Sequence, residues 1–121
     1  MIEITTLDLV NKDERGYTYE YFHDRYGRHL TVFRKAGSIS GRHYHKGNSL
    51  SKNPEIIILI QGNLQLNYRE VNSTTLHTVT INEPSHIAIL PYIWHELIAL
   101  TDCAFIELNS LSEHASDTYT E

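Results

Sequence analysis

The stretch Gly37-Ser38-Ile39-Ser40-Gly41-Arg42-His43-Tyr44-His45, followed after a loop by Glu55-Ile56-Ile57-Ile58-Leu59-Ile60-Gln61-Gly62, decides how the chain folds. Residues two apart on a strand point to the same face, so His43 and His45 present two imidazoles side by side to one surface. Glu55 opens a β-branched run that ends at Gly62-Asn63, a tight-turn dipeptide, and Leu64-Gln65-Leu66-Asn67-Tyr68 then alternates with period two. The pair of runs reads as a hairpin. Between the histidines and Glu55, Lys46 to Pro54 collects Gly47, Asn48, Ser49, Ser51 and Asn53, which are loop formers.

Outward from this stretch, nearly every apolar segment is short, β-branched or aromatic, and bounded by turn residues. Thr78 to Ile81, His86 to Leu90, His95 to Leu100 and Ala104 to Leu108 read as four later strands, with Glu83-Pro84 and Thr101-Asp102 as turns. Upstream, Tyr17 to His23 alternates aromatic with other residues and turns through Asp24 to Gly27 into His29 to Arg34, which predicts a hairpin of those two segments. Thr6 to Arg15 reads as a short helix or an edge strand. Ser112 to Glu121 is polar enough to stay loose or to dock on a neighbour. About nine strands with short connections predict an all-β closed barrel or sandwich.

At 121 residues the chain is of single-domain size, and 40% hydrophobic against 21% charged residues suit a folded core. Its one cysteine, Cys103, has no partner for an internal disulfide. Ten basic against fifteen acidic residues give a net charge of −5 with no basic stripe, which argues against nucleic acid and anionic membrane as partners. Met1-Ile2-Glu3-Ile4-Thr5 lacks a signal-peptide pattern, and Ile56 to Ile60 is too short to span a bilayer, so a cytoplasmic location is expected.

Eight histidines and eight tyrosines stand out. Two imidazoles on one strand, a carboxylate at the start of the next (Glu55) and a third imidazole opening a later strand (His95) supply donors for one divalent ion. Ile57 and Leu59 are expected to follow Glu55 inward, and Leu97 and Ala99 to follow His95. Arg34, Tyr68, Tyr92, Trp94 and Glu107 are candidates for the rim of a substrate pocket. Tyr17, Tyr19 and Tyr21 read as a sheet face or dimer contact. His77 and His114 fall in expected turns or tail and read as solvated, and nothing near Cys103 marks it as a nucleophile.

Gly37-x5-His43-x-His45 followed by Glu55-x6-Gly62 resembles the first signature of the cupin superfamily, G-x5-H-x-H-x3-4-E-x6-G. Ser85-x5-Pro91-x3-His95 is similar to the second. The resemblance covers roughly residues 28 to 109. It departs at three points: nine residues between His45 and Glu55 instead of three or four, Ser85 for the usual Gly, and Ala99 for the usual Asn. What it implies is one jelly-roll β-barrel domain over 1–121, with N-terminal strands in 1–27, a barrel core over 28–109 and a polar tail at 112–121. The barrel mouth would hold one divalent transition metal, Fe, Mn, Ni, Zn or Cu, on His43, His45, Glu55 and His95.

Three functions follow from that resemblance. The first is a metal-binding small cupin acting on a small polar metabolite such as a carbohydrate derivative, as a metal-dependent isomerase, epimerase or oxygenase. The second is a metal-independent sugar-nucleotide ketoisomerase or epimerase, similar here in its H-x-H pair after an Arg and in Trp94-His95-Glu96 followed by Thr101-Asp102-Cys103. There a histidine among His43, His45 and His95 is the general base. The third is a non-enzymatic ligand-binding cupin. A homodimer through the aromatic N-terminal hairpin is expected, and the Lys46–Pro54 loop is placed to act as a lid, with Lys46 or Lys52 reaching an anionic ligand group.

Overall fold

Short β-branched runs separated by glycines and polar turns give strands, and the computed structural model, which describes residues 1–121, contains eleven of them and one helix. They are β1 (Ile2–Thr6), β2 (Asp8–Asp13), β3 (Gly16–Glu20), β4 (Leu30–Arg34), β5 (Ile39–His43), β6 (Glu55–Gln61), β7 (Leu64–Glu70), β8 (His77–Ile81), β9 (Ser85–Ile89), β10 (Ile93–Ala99) and β11 (Cys103–Glu107), then α1 (Leu111–Ser116). A five-stranded sheet in the order β1-β9-β6-β11-β4 faces a four-stranded sheet in the order β5-β10-β7-β8, and every named pairing is antiparallel. This is an all-β jelly-roll barrel.

The two sheets meet through one apolar layer. Ile57, Leu59, Ile87, Ile89 and Phe105 come from the larger sheet, and Leu64, Leu66, Ile81, Leu97 and Ala99 from the smaller. Each fully buried aliphatic side chain of this kind contributes about 1.5–3 kcal/mol relative to exposure. The expected inward positions Ile57, Leu59, Leu97 and Ala99 all lie in this layer. β6 is apolar on both faces for a second reason: Ile56 and Ile58 pack outward against Leu7 and Leu108, with Tyr19 beside them. A strand covered on both sides reads as a continuous hydrophobic run.

The N-terminal part departs from expectation. Tyr17 to His23 does not form a hairpin with His29 to Arg34; β3 pairs instead with β2, and β4 joins the large sheet beside β11. The two-residue link Glu14-Arg15, closed by the Arg15 backbone N–H donating to Asp13 Oδ1 at 2.9 Å, makes the local pairing the shorter loop. Of the two readings of this segment the edge strand holds and the helix does not: Asp8–Asp13 is a strand of a two-stranded ribbon outside the barrel sheets. No helix of the chain is long and apolar enough to cross a membrane.

Candidate functional site

Three strands bring the site together at one end of the barrel. His43 closes β5, His95 lies directly across from it on β10, and Glu55 opens β6 in the facing sheet. A register shift between His95 and Glu96 lets β5 follow β10 around this corner. Gly41 makes that approach possible: its φ is +88°, and a Cβ there would stand 3.0 Å from the His95 carbonyl. The His43 ring centroid lies 4.9 Å from those of His45 and His95, and His45 and His95 are 5.3 Å apart. One donor nitrogen from each of the three falls within 4.8 Å of the others. His45 and His95 are buried, and His43 is the half-exposed member.

Hydrogen bonds to the back of two rings fix which atom faces the cluster. His45 Nδ1 lies 2.6 Å from the Asp117 carbonyl and His95 Nδ1 lies 3.0 Å from the Ile93 carbonyl, so both Nε2 atoms point inward. His95 Nε2 has no hydrogen-bond partner. Glu55, also buried, sets Oε2 against His45 Nε2 and Oε1 at 3.7 Å from His95 Nε2. Burial alone would raise the Glu55 carboxyl, but His45, His95 and Lys52 outweigh it and hold it well below the ordinary range. Burial, reinforced by His95 and His45, pushes His43 down to about 3. His95 is lowered by burial, with Glu55 opposing. The cluster thus combines neutral imidazoles at His43 and His95 with one ionised carboxylate.

The chain's C-terminus covers this end of the barrel. Ser110 caps α1 by accepting from the Glu113 N–H, and the Glu113 side chain accepts in return from the Ser110 N–H, a capping box that starts the helix at a fixed place. One turn later His114 stands 5.3 Å from the His43 ring and 5.6 Å from the His45 ring. Asp117 then accepts from the backbone N–H groups of Lys46 and Ser49, Tyr119 bridges to Tyr44, and Glu121 pairs with Arg69. Burial resists the charge on Asp117, but the Ser49 and Lys46 N–H groups outweigh it and keep the carboxyl low. The tail docks on its own barrel.

Of the candidate residues, His43, His45, Glu55 and His95 come together. Tyr68 lies beside His95 in the sheet, with its ring stacked on His77 at 5.2 Å. Glu107 is half-buried near Glu55, and burial together with that neighbouring carboxylate raises its carboxyl. Tyr92 is half-exposed, stacks at 6.1 Å on Tyr44 and donates its N–H to the His45 carbonyl. Two residues are not brought to the cluster. Alternation along β10 turns Trp94 to the face opposite His95, where the Arg69 guanidinium lies 4.9 Å from its ring. Arg34 is exposed at the far end of β4, bonded to Ser40 and to the Phe33 carbonyl.

The expected lid is a fastened loop. Asp117 holds Lys46 and Ser49, the Arg25 guanidinium holds the Leu50 and Pro54 carbonyls, and Lys52 turns inward to full burial. His114, expected in solvent, joins the cluster instead. Asn109, His114 and Asp117 were not among the expected site residues, although the Ser110-x-x-Glu113 spacing marks a helix start just ahead of His114, and Lys52, expected to reach an anionic ligand, bonds Glu55 instead. The space behind the histidines is filled by the packed layer between the sheets.

The donor set fits a divalent transition metal. Imidazole and carboxylate suit Fe, Mn, Ni, Zn and Cu, and a buried, unpartnered His95 Nε2 aimed into the cluster is costly unless something pairs with it. His43, His45, Glu55 and His95 are the residues that would hold such an ion.

No family model matches the chain, and no curated protein matches it. Solved structures match its fold. The dTDP-4-dehydrorhamnose 3,5-epimerase of Sulfolobus tokodaii superposes with a TM-score of 0.65 at 21% identity, over 88% of this chain and 68% of that one. QdtA, a sugar 3,4-ketoisomerase of Thermoanaerobacterium thermosaccharolyticum, gives 0.73 at 16% identity, over 99% and 88%. ChmJ, a 3'-monoepimerase of Streptomyces bikiniensis, gives 0.67 at 14% identity, over 88% and 62%. Likeness at these identities is likeness of fold, and the strand order, the buried layer between the sheets and these superpositions together make the chain a cupin-fold protein.

Proposed function

We propose that the chain is an isomerase or epimerase that moves a proton at the carbon beside the carbonyl of a small polar metabolite, a keto sugar or its nucleotide derivative. The observation that carries this reading is the gathering of three imidazoles and a carboxylate at one end of a cupin barrel. The fold likeness to a 3,5-epimerase and a 3,4-ketoisomerase supports it. A carbon acid next to a carbonyl gives up its proton to a positioned base, most often an imidazole. His95 is built for that role: its Nδ1 faces the Ile93 carbonyl, which leaves the Nε2 lone pair toward the cluster. Burial keeps His95 unprotonated at rest, and the Glu55 carboxylate at 3.7 Å would stabilise the imidazolium once formed.

A second reading keeps the reaction class and adds one divalent transition metal on His43, His45, Glu55 and His95. The unpartnered Nε2 atom of His95 favours it. When bound, the ion would supply Lewis acidity toward a carbonyl oxygen. The test for both is wash-in of deuterium. TDP-4-keto-6-deoxyglucose, the ligand of a QdtA variant, is incubated with untagged protein in D2O and the signals beside the ketone are followed by proton NMR. Exchange that survives chelation and is lost in His95→Ala supports direct proton transfer. Exchange that returns only with added metal, and is lost in His43→Ala, supports the second. No exchange of any tested keto sugar under either condition sinks the isomerase reading.

A further inference from the structure

The cluster contains a second convergence of lone pairs, and it is already occupied. Lys52 Nζ, fully buried, lies 2.8 Å from Glu55 Oε2, 3.1 Å from Asn109 Oδ1 and 3.0 Å from His114 Nδ1. An ammonium has three N–H groups and no lone pair, so each N–H meets one acceptor and the set is filled. His114 must then offer Nδ1 as a lone pair. A carboxylate oxygen, an amide oxygen and an imidazole nitrogen aimed at one buried point are also donors a divalent metal accepts. The donor atoms of His45, Glu55 and His114 fall within 4.8 Å of one another, a second group that shares His45 with the His43, His45 and His95 trio. We propose that Glu55, Asn109 and His114 form a second cation position, held in this chain by its own Lys52 ammonium, and that a divalent transition metal takes the position when the ammonium is removed.

The loop between β5 and β6 thereby delivers an internal cation, and the tail helix delivers one of its ligands. The inference deepens the metal reading of the cluster and rests on it only for the total count of ions. The test titrates untagged, chelator-treated protein with Co²⁺, counting bound ions by calorimetry and by elemental analysis after desalting. The expected count is one per chain for the native protein, two for Lys52→Met, and one again for Lys52→Met combined with His114→Ala. A Lys52→Met count equal to the native one overturns the inference. A native count of zero with a count of one in Lys52→Met, abolished by His114→Ala, overturns the metal reading of the trio and leaves this inference standing. A second variant guards against a Lys52→Met chain that does not fold. Lys52→Ala is expected to gain thermal stability saturably from methylammonium, which fits the vacated place, and not from tetramethylammonium. Equal responses to both ions overturn the inference.

Discussion

At neutral pH the buried cluster is poised by residues that resist protonation. An unfolded His43 takes a proton at its ordinary value of 6.5, whereas the folded one does so only at about 3. Below 6.5 the unfolded chain therefore binds more protons than the folded one, and stability falls as pH drops. His95 and His114 are shifted in the same direction, and Glu55, held well below 4.5, adds a further loss of the same sign below that value. The metal-free protein is expected to be most stable above pH about 6.5, with a urea midpoint that declines steadily toward pH about 4. A midpoint flat across that range would contradict the buried, neutral imidazoles. The pair His43 and His45 was legible in the sequence because strand period fixes their common face. Lys52 was not, because a lysine in a polar loop reads as solvated and only three acceptors from distant segments make its burial tolerable.

Individual elements are held by a few positions whose geometry leaves no alternative. In the turn between β6 and β7, Gly62 has φ +99°, and a Cβ there would stand 2.2 Å from the Asp102 carbonyl. Gly62→Ala is expected to cost about 1–3 kcal/mol from the backbone conformation alone, with the clash added, and thermal melts of the purified variant measure it. At the other end, α1 is only six residues long and depends on its cap. Ser110→Ala is expected to cost about 1 kcal/mol and to speed amide exchange across Leu111 to Tyr119 while leaving β6 and β9 protected; unchanged exchange in the tail would show that docking alone holds it. The hairpin expected of β6 and β7 does not form, because the Gly62-Asn63 turn carries the chain from the large sheet to the small one, but as separate strands both could be read from their hydrophobic patterns. The N-terminal hairpin could not, since alternating aromatics identify a strand without naming its partner; β3 pairs with β2 and packs Tyr19 against β6.

For the molecule as a whole, the β2–β3 ribbon is a sheet of its own, packed on β6 through Tyr19, and it exposes Leu9, Val10 and Tyr17, with Phe22 and Tyr26 almost fully exposed just beyond it. Such a surface is expected to be shared between two copies, giving a light-scattering mass of two chains that Val10→Glu reduces to one. A native mass of one chain at micromolar concentration removes the dimer. The strand order described above also governs when the fold can form. Ile2 of β1 waits for Ile89, Leu30 of β4 waits for Glu107, and His43 meets His95 only after both have been made. During synthesis the first half of the chain therefore leaves the ribosome without most of its partners, while the β2–β3 ribbon and later the β7–β8 hairpin pair locally. The barrel assembles after the last strand emerges, on the millisecond-to-second scale of non-local β topologies, and the histidine cluster comes into being in that final step.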